Sequence, residues 1–261
     1  AASILINAYI FPFANANFYP TYGRISGFYL NPNFAGTICL AGYALVYAID
    51  NKRLRIAGQI LFTLGGILTF SRSFLVIWLI INLLSVVQNK KNIIVLVGGL
   101  FFFVIFLVYS SGLIFNAERF GALKGILTDE ASSSEVLSED SRTETWSLYL
   151  DMIADKPFLG NGYKKFQTKN NGLPGVHNTY LMVLGEAGII PFALILLIYF
   201  WMVRSSFKLF RFAPDVFYLA CVLSIALLVG HGYFRDFYNI LLSMFVFVQL
   251  REFTKKQLAT Y

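Results

Sequence analysis

The residues of this chain best placed to do chemistry are three arginines, Arg24, Arg72 and Arg142, its two histidines, His177 and His231, and a carboxylate, Glu186. Arg72 stands between the apolar runs Ile56 to Phe70 and Phe74 to Val87, with only Ser71 and Ser73 beside it. A guanidinium at the centre of a membrane helix costs roughly 2.5–3.5 kcal/mol on insertion scales, so Arg72 needs a partner or a polar cavity, or must snorkel to headgroups. Arg142 follows Ser141, and Glu144 three positions after that serine completes a capping box. In a first helical turn a cation faces the positive end of the dipole at a cost of about 0.3–1 kcal/mol, and a bound anion reverses that cost. The alternative for Arg142 is a surface ion pair with Glu144 or Asp140. Arg24 lies in a Gly-flanked loop and is the weakest of the three taken alone.

His177 and Asn178 open an apolar run, with Asn178 as the expected N-cap. An imidazole at a membrane entrance titrates near neutral pH and can act as a base or donate to a phosphate; the alternative is an interfacial hydrogen-bonding residue. Glu186 lies between Gly185 and Gly188 within that run, where a carboxylate is costly unless paired or protonated. The glycines predict a break that leaves His177 to Leu184 as a short outer helix. Glu186 would then sit near the interface as a partner for an arginine, a structural role first and a catalytic one second. His231 and Arg235, close to Asp236, either extend the site or form a polar lid held by an Arg–Asp pair.

Arginines, a histidine and a carboxylate with no cluster at metal-ligand spacing suit a lipid-linked diphosphate. Its departure needs charge neutralisation more than a strong acid, and bidentate guanidinium groups supply that. The attacking hydroxyl needs a base, for which His177 is the first candidate and Glu186 the second. Neither metal nor cofactor is expected.

These residues must be carried by membrane helices. The 261 residues are 57% hydrophobic and only 13% charged, against about a quarter charged in soluble domains. The net charge of +7 comes mostly from short Lys/Arg clusters at the ends of apolar runs, the positive-inside pattern, so nucleic acid is not an expected partner. Cys39 and Cys221 each lie in an apolar run without ligand spacing and read as packing residues. One helix through Ile56 to Val87 would be on the order of 50 Å long against a hydrocarbon core of about 30 Å, so the chain must turn near Arg72. The pattern predicts an all-α, polytopic transmembrane helical bundle of about seven spanning helices plus an N-terminal partial helix, with every short basic cluster on one side. The Arg24 loop, Arg72, the long loop and the His231 turn then share the outer face. Residues 114–177 form one long extracytoplasmic loop containing short helices. Within it Thr128 to Ser141 is Ser-rich and acidic and is expected to be mobile, and a helix follows with Trp146, Tyr149, Leu150 and Ile153 on one face until Asp155-Lys156-Pro157 stops it. The apolar start Ser3 to Phe13 is too short to span, so residues 1–261 read as a fragment of a single membrane domain with N-terminal helices missing.

R-x-x-x-W from Arg142 to Trp146, P-x-x-G-x-G from Pro157 to Gly162, and HN-x-Y-L-x-x-x-x-E-x-G from His177 to Gly188 together resemble the core motif of the O-antigen ligase and O-antigen polymerase family. R-x-x-G-F-x-x-N-P-N at Arg24 and S-R at Arg72 are similar to two upstream motifs of that family. The resemblance implies a GT-C type membrane glycosyltransferase of polysaccharide biosynthesis. It would sit in the bacterial cytoplasmic (inner) membrane, multi-pass, and work on the extracytoplasmic face without metal. Its donor would be an undecaprenyl-diphosphate-linked oligosaccharide and its acceptor a glycan or lipid-linked hydroxyl. Carried over by position, Arg24, Arg72 and Arg142 would bind the diphosphate and His177 would lie beside the transferred sugar, with Asn178, Trp146, His231 and Arg235 in support. The competing expectation is a polysaccharide-lipid transporter or an anion-path membrane protein without catalysis, against which the lack of an internal repeat weighs modestly.

Overall fold

The computed structural model describes residues 1–10, 25–29, 31–110, 142–167, 173–230 and 232–258. Arg24, Ser141 with its capping box, the segment Thr128 to Ser141 and His231 fall outside them, as does the side chain of Arg142. The described residues are helical, with no strand among them. They form two compact units, Ala1–Asp140 and Ser141–Tyr261.

The first unit contains α1 (Ala2–Tyr9), α2 (Pro32–Leu45), α3 (Lys52–Leu68), α4 (Arg72–Gln88) and α5 (Ile93–Ser110). Its helix starts follow local chemistry. Asn31 caps α2 by accepting from Asn33 N and Phe34 N, with Pro32 in the first turn where its missing N–H costs nothing. Asn51 caps α3 in the same way. The expected turn near Arg72 is present: α3 ends at Leu68, Phe70 adopts a left-handed φ of 50°, and Ser71 caps α4. Helices α3 and α4 come close enough that a Cβ on Gly66 would lie 2.0 Å from the Phe74 ring. Two hydrogen bonds between helices tie buried polar groups together inside the unit: Tyr43 donates to Asn82 Oδ1 at 2.7 Å, and Trp78 Nε1 donates to Thr63 Oγ1 at 2.9 Å.

The second unit contains α6 (Arg142–Asp155), α7 (Thr179–Ala187), α8 (Ile189–Phe207), α9 (Pro214–Val229) and α10 (Phe237–Leu258). Among the described residues α8 is the helix long and apolar enough to cross a membrane by length and composition, while α4 and α9 are shorter apolar helices. Much of α8 is bare, with Leu197 62% and Phe200 65% exposed, as lipid contact requires. On α6 the buried stripe is Trp146, Tyr149, Met152 and Ile153. The expected Leu150 instead lies 55% exposed beside Leu148, because the chain packs Met152 where the spacing also allowed Leu150. The expected break is present and falls at Gly188, so the short helix runs from Thr179 to Ala187 where His177 to Leu184 was expected. Gly185 lies inside the helix, where its missing side chain makes room for the Phe166 ring, which a Cβ there would approach to 2.3 Å.

Candidate functional site

In the first unit the site residue is Arg72, the first residue of α4 and exposed. The residues around it form a knot of small polar groups. Thr69 Oγ1 donates to Gly66 O at 2.7 Å and accepts from Ser71 N at 3.3 Å; Ser71 Oγ lies 2.8 Å from Ser73 Oγ and donates to Asn33 Oδ1 at 3.2 Å. The last bond joins the Asn-Pro-Asn segment to the Ser-Arg-Ser turn, two motifs nearly forty positions apart in sequence, and sets the starts of α2 and α4 side by side. A Cβ on Gly36 would meet Ser71 Cβ at 3.1 Å, which shows how closely they approach. Two helix N-termini and a guanidinium therefore share one end of this unit, a positive arrangement suited to an anion.

In the second unit the residue of interest is His177. It is exposed, with a left-handed φ of 48°, while Val176 and Asn178 on either side are buried. That conformation costs a non-glycine residue about 1–2 kcal/mol, and the surroundings hold it. Asn178 caps α7 by accepting from Leu181 N at 3.2 Å, as its position predicted. Trp146 Nε1 donates to Val176 O at 3.1 Å, and Val176 N donates to Phe166 O at 3.0 Å. Tyr149 donates to Pro174 O and lies against the Phe166 ring, 4.6 Å between centroids. Burial keeps the Tyr149 phenol above its usual pKa, so it remains a donor.

Glu186 completes this frame. Its carboxylate accepts from Phe166 N at 2.9 Å through Oε1 and from Gln167 Nε2 at 2.8 Å through Oε2. Among the described residues these partners are a backbone amide and a side-chain amide, where an arginine was expected. Glu186 is 9% exposed. Through the backbone of Phe166, which also accepts from Val176 N, it is linked to the segment that carries His177.

The P-x-x-G-x-G segment closes against the far end of α7. Gly160 N donates to Lys156 O, Asn161 N to Gly185 O, Gly162 N to Glu186 O and Ile189 N to Pro157 O, all within 3.0 Å. Two glycines make this possible. Gly160 (φ 69°) would place a Cβ 2.4 Å from the Glu186 carbonyl, and Gly188 (φ 88°) would place one 1.9 Å from Phe158 O. Asn161, which sequence reasoning passed over, bridges Met152 O at 2.8 Å and Gly185 O at 3.1 Å. Its place between the two motif glycines was the signal that could have found it.

The turn after α9 also docks here. Thr179 Oγ1 donates to Gly230 O at 2.5 Å, so the 230–236 turn lies next to the His177 end of α7. Tyr233 is 3% exposed and fixes that turn: its hydroxyl meets Tyr199 at 2.6 Å and Ser243 at 2.8 Å, and Ser243 Oγ donates to Asn239 O at 2.8 Å. Arg235 is exposed and pairs with the adjacent Asp236 at 3.6 Å. Burial raises the Asp236 carboxyl above its usual pKa, against the lowering pull of Arg235.

No curated protein matches the chain. The family model described as O-antigen ligase matches residues 57–196, more than half of the 261 residues. The matched stretch takes in the Arg72 turn and the whole frame from Arg142 through Trp146 and His177 to Glu186; Arg24 and the 230–236 turn lie outside it. With the motif residues gathered into two built polar sites among apolar helices, the chain belongs to the O-antigen ligase family, membrane transferases of polysaccharide biosynthesis.

Proposed function

We propose that the chain transfers a glycan from an undecaprenyl-diphosphate-linked donor to an acceptor hydroxyl, as a polysaccharide polymerase or an O-antigen ligase, on the extracytoplasmic face of the bacterial cytoplasmic membrane. The single observation that carries this reading is the presentation of His177: an exposed imidazole in a strained backbone, between two buried neighbours, held by hydrogen bonds on both sides. Holding a residue this way serves little structural purpose for an interfacial histidine and is what a positioned base requires.

In the reaction the acceptor oxygen bonds to the anomeric carbon of the donor sugar while the bond from that carbon to the diphosphate oxygen breaks. The acceptor proton passes to His177, and the undecaprenyl diphosphate departs with the bonding electrons. Arg72, with Arg142 and Arg24, neutralises the departing diphosphate, taking the part a divalent cation would otherwise take. Glu186 supports the imidazole through its backbone rather than moving the proton itself, while Asn178 and Trp146 hold the residues on either side. Gly230, held by Thr179, lies beside the His177 end of α7, and His231 and Arg235 are assigned a supporting role. The same reading assigns about seven spanning helices to the bundle, with both sites facing outward.

The test uses the full-length protein, reconstituted with a lipid-diphosphate glycan and candidate acceptors. A longer lipid-linked chain identifies a polymerase and a glycan on a new acceptor identifies a ligase. Arg72→Ala and Arg142→Ala are each expected to lower product formation by about 100-fold or more while the protein still inserts. Near-normal product from both variants, or flux of unchanged glycan across the vesicle, would sink the proposal.

A further inference from the structure

The turn at Pro157 to Tyr163 has a second property, independent of the reaction. Its tip is the most exposed apolar segment near the start of a candidate membrane span: Phe158 is 72% exposed, Leu159 89% and Tyr163 78%. It is fixed at that place. Ile189, the first residue of α8, donates its N–H to Pro157 O at 2.9 Å, and Gly188 is pressed against Phe158 O. The bare apolar side chains of the turn are thus continuous with Ile189 and Ile190, which are 40% and 67% exposed at the head of α8.

The polar groups of the turn are disposed as a lipid surface demands. Backbone N–H groups carried into a bilayer must be satisfied internally; that of Gly160 is satisfied within the turn by Lys156 O, and those of Asn161 and Gly162 donate to Gly185 O and Glu186 O on α7. Lys156, Lys164 and Lys165 flank the tip and are exposed, and the Lys164 ammonium lies 5.4 Å from the centre of the Tyr163 ring. A tyrosine and lysines beside an apolar tip match the headgroup layer, where a phenol and an ammonium meet phosphate while the apolar parts reach the acyl chains.

We infer that residues 157–163 are an interfacial anchor, with Phe158 and Leu159 inserted in the lipid and Tyr163 and the flanking lysines at phosphate depth. The partner is a phospholipid surface. Because the turn is hydrogen-bonded to α7, its depth also fixes how far Glu186 and the frame behind His177 stand from the plane of the lipid phosphates.

The experiment places a nitroxide at Leu159→Cys in the full chain with Cys39 and Cys221 replaced by alanine, reconstituted in phospholipid vesicles, with Asp151→Cys on the exposed side of α6 as the aqueous comparison. Relaxation is measured with oxygen, which concentrates in lipid, and with a water-soluble nickel chelate. The expected result is a site at 159 favouring oxygen over nickel by about tenfold relative to 151, in keeping with the partition of apolar and polar solutes at a bilayer. Preference for nickel at 159, or protection from both probes as under a protein partner, overturns the inference. A second measurement needs no substitution: the native chain with a phospholipid carrying a photoreactive diazirine near its headgroup should yield adducts on the 157–163 peptide. An unlabelled peptide beside a labelled α8 overturns it as well.

Discussion

Around Arg72 the backbone is fixed by small side chains, Thr69, Ser71, Ser73 and Asn33, each bond local to a helix start or joining two of them. Around His177 it is fixed by large ones, Trp146, Tyr149 and Phe166, together with one carboxylate, and the bonds span twenty to thirty positions of sequence. The difference follows from what each must hold. Arg72 is a long, flexible side chain, and what the bonds around it fix is the helix start below it. His177 is short and must be aimed by its backbone, which takes a buried core on one side. The two regions should therefore fail differently: the first by small, separable losses, the second as a unit.

The largest expected effect is at the second region. Gly188→Ala combines an unfavourable φ with a collision against Phe158 O and should destabilise the protein by about 3 kcal/mol. Gly162→Ala, where a Cβ would meet nothing within 4 Å, should cost only the strain of about 1–2 kcal/mol. Equal melting shifts in detergent for the two variants would break the distinction. Next comes Glu186. Glu186→Ala leaves the Phe166 N–H without its acceptor inside the core, a loss of about 1–3 kcal/mol, and transfer should fall with it. Glu186→Gln keeps an acceptor there and should retain transfer within about threefold. Turnover against pH decides the matter, since loss of activity in the Gln variant would make Glu186 the base.

Smaller still are the single bonds on each side. Ser71→Ala removes the cap of α4 and the link to Asn33, and should cost about 1 kcal/mol. Trp146→Phe removes the bond to Val176 O and should cost about 0.5–1.5 kcal/mol. The comparison sharpens if the serine variant changes donor KM and the tryptophan variant changes kcat. The smallest effect concerns Asp236. Its carboxyl is raised in the folded protein, chiefly by burial, so the folded state holds the proton more tightly than the unfolded one. Stability from this group is present at acid pH and lost as pH rises through the folded value. Asp236→Asn should therefore raise the melting temperature slightly at neutral pH and change nothing at acid pH, where the native side chain is also neutral.

Much of this architecture was readable from periodicity and punctuation. The length of the apolar run and the Ser-Arg-Ser interruption located the turn at Arg72, and Asn178 declared itself as a cap. These are local rules, set within a few residues. What could not be read was pairing at a distance. Glu186 was expected to meet an arginine because charge calls for charge; among the described residues a backbone N–H and a glutamine serve it, and no spacing rule connects position 166 with 186. Leu150 and Met152 were equally compatible with a helical stripe, and only the neighbours of Tyr149 decide between them. Asn33 and Ser71 sit in separate motifs, and their contact depends on how α2 and α4 pack.

The hydroxyls of Tyr199, Tyr233 and Ser243 have a direction. Tyr199 donates to Tyr233, and Ser243 spends its only proton on the Asn239 carbonyl, which leaves Tyr233 to donate to Ser243 and makes the carbonyl the sink of the whole series. Loss at the source shortens such a series, whereas loss of the serine strands everything upstream of it. The 230–236 turn is therefore exposed to change at a serine one helix away as well as at the tyrosine it carries, and sequence drift in this region should be judged by place in that order of donors as much as by nearness to His177.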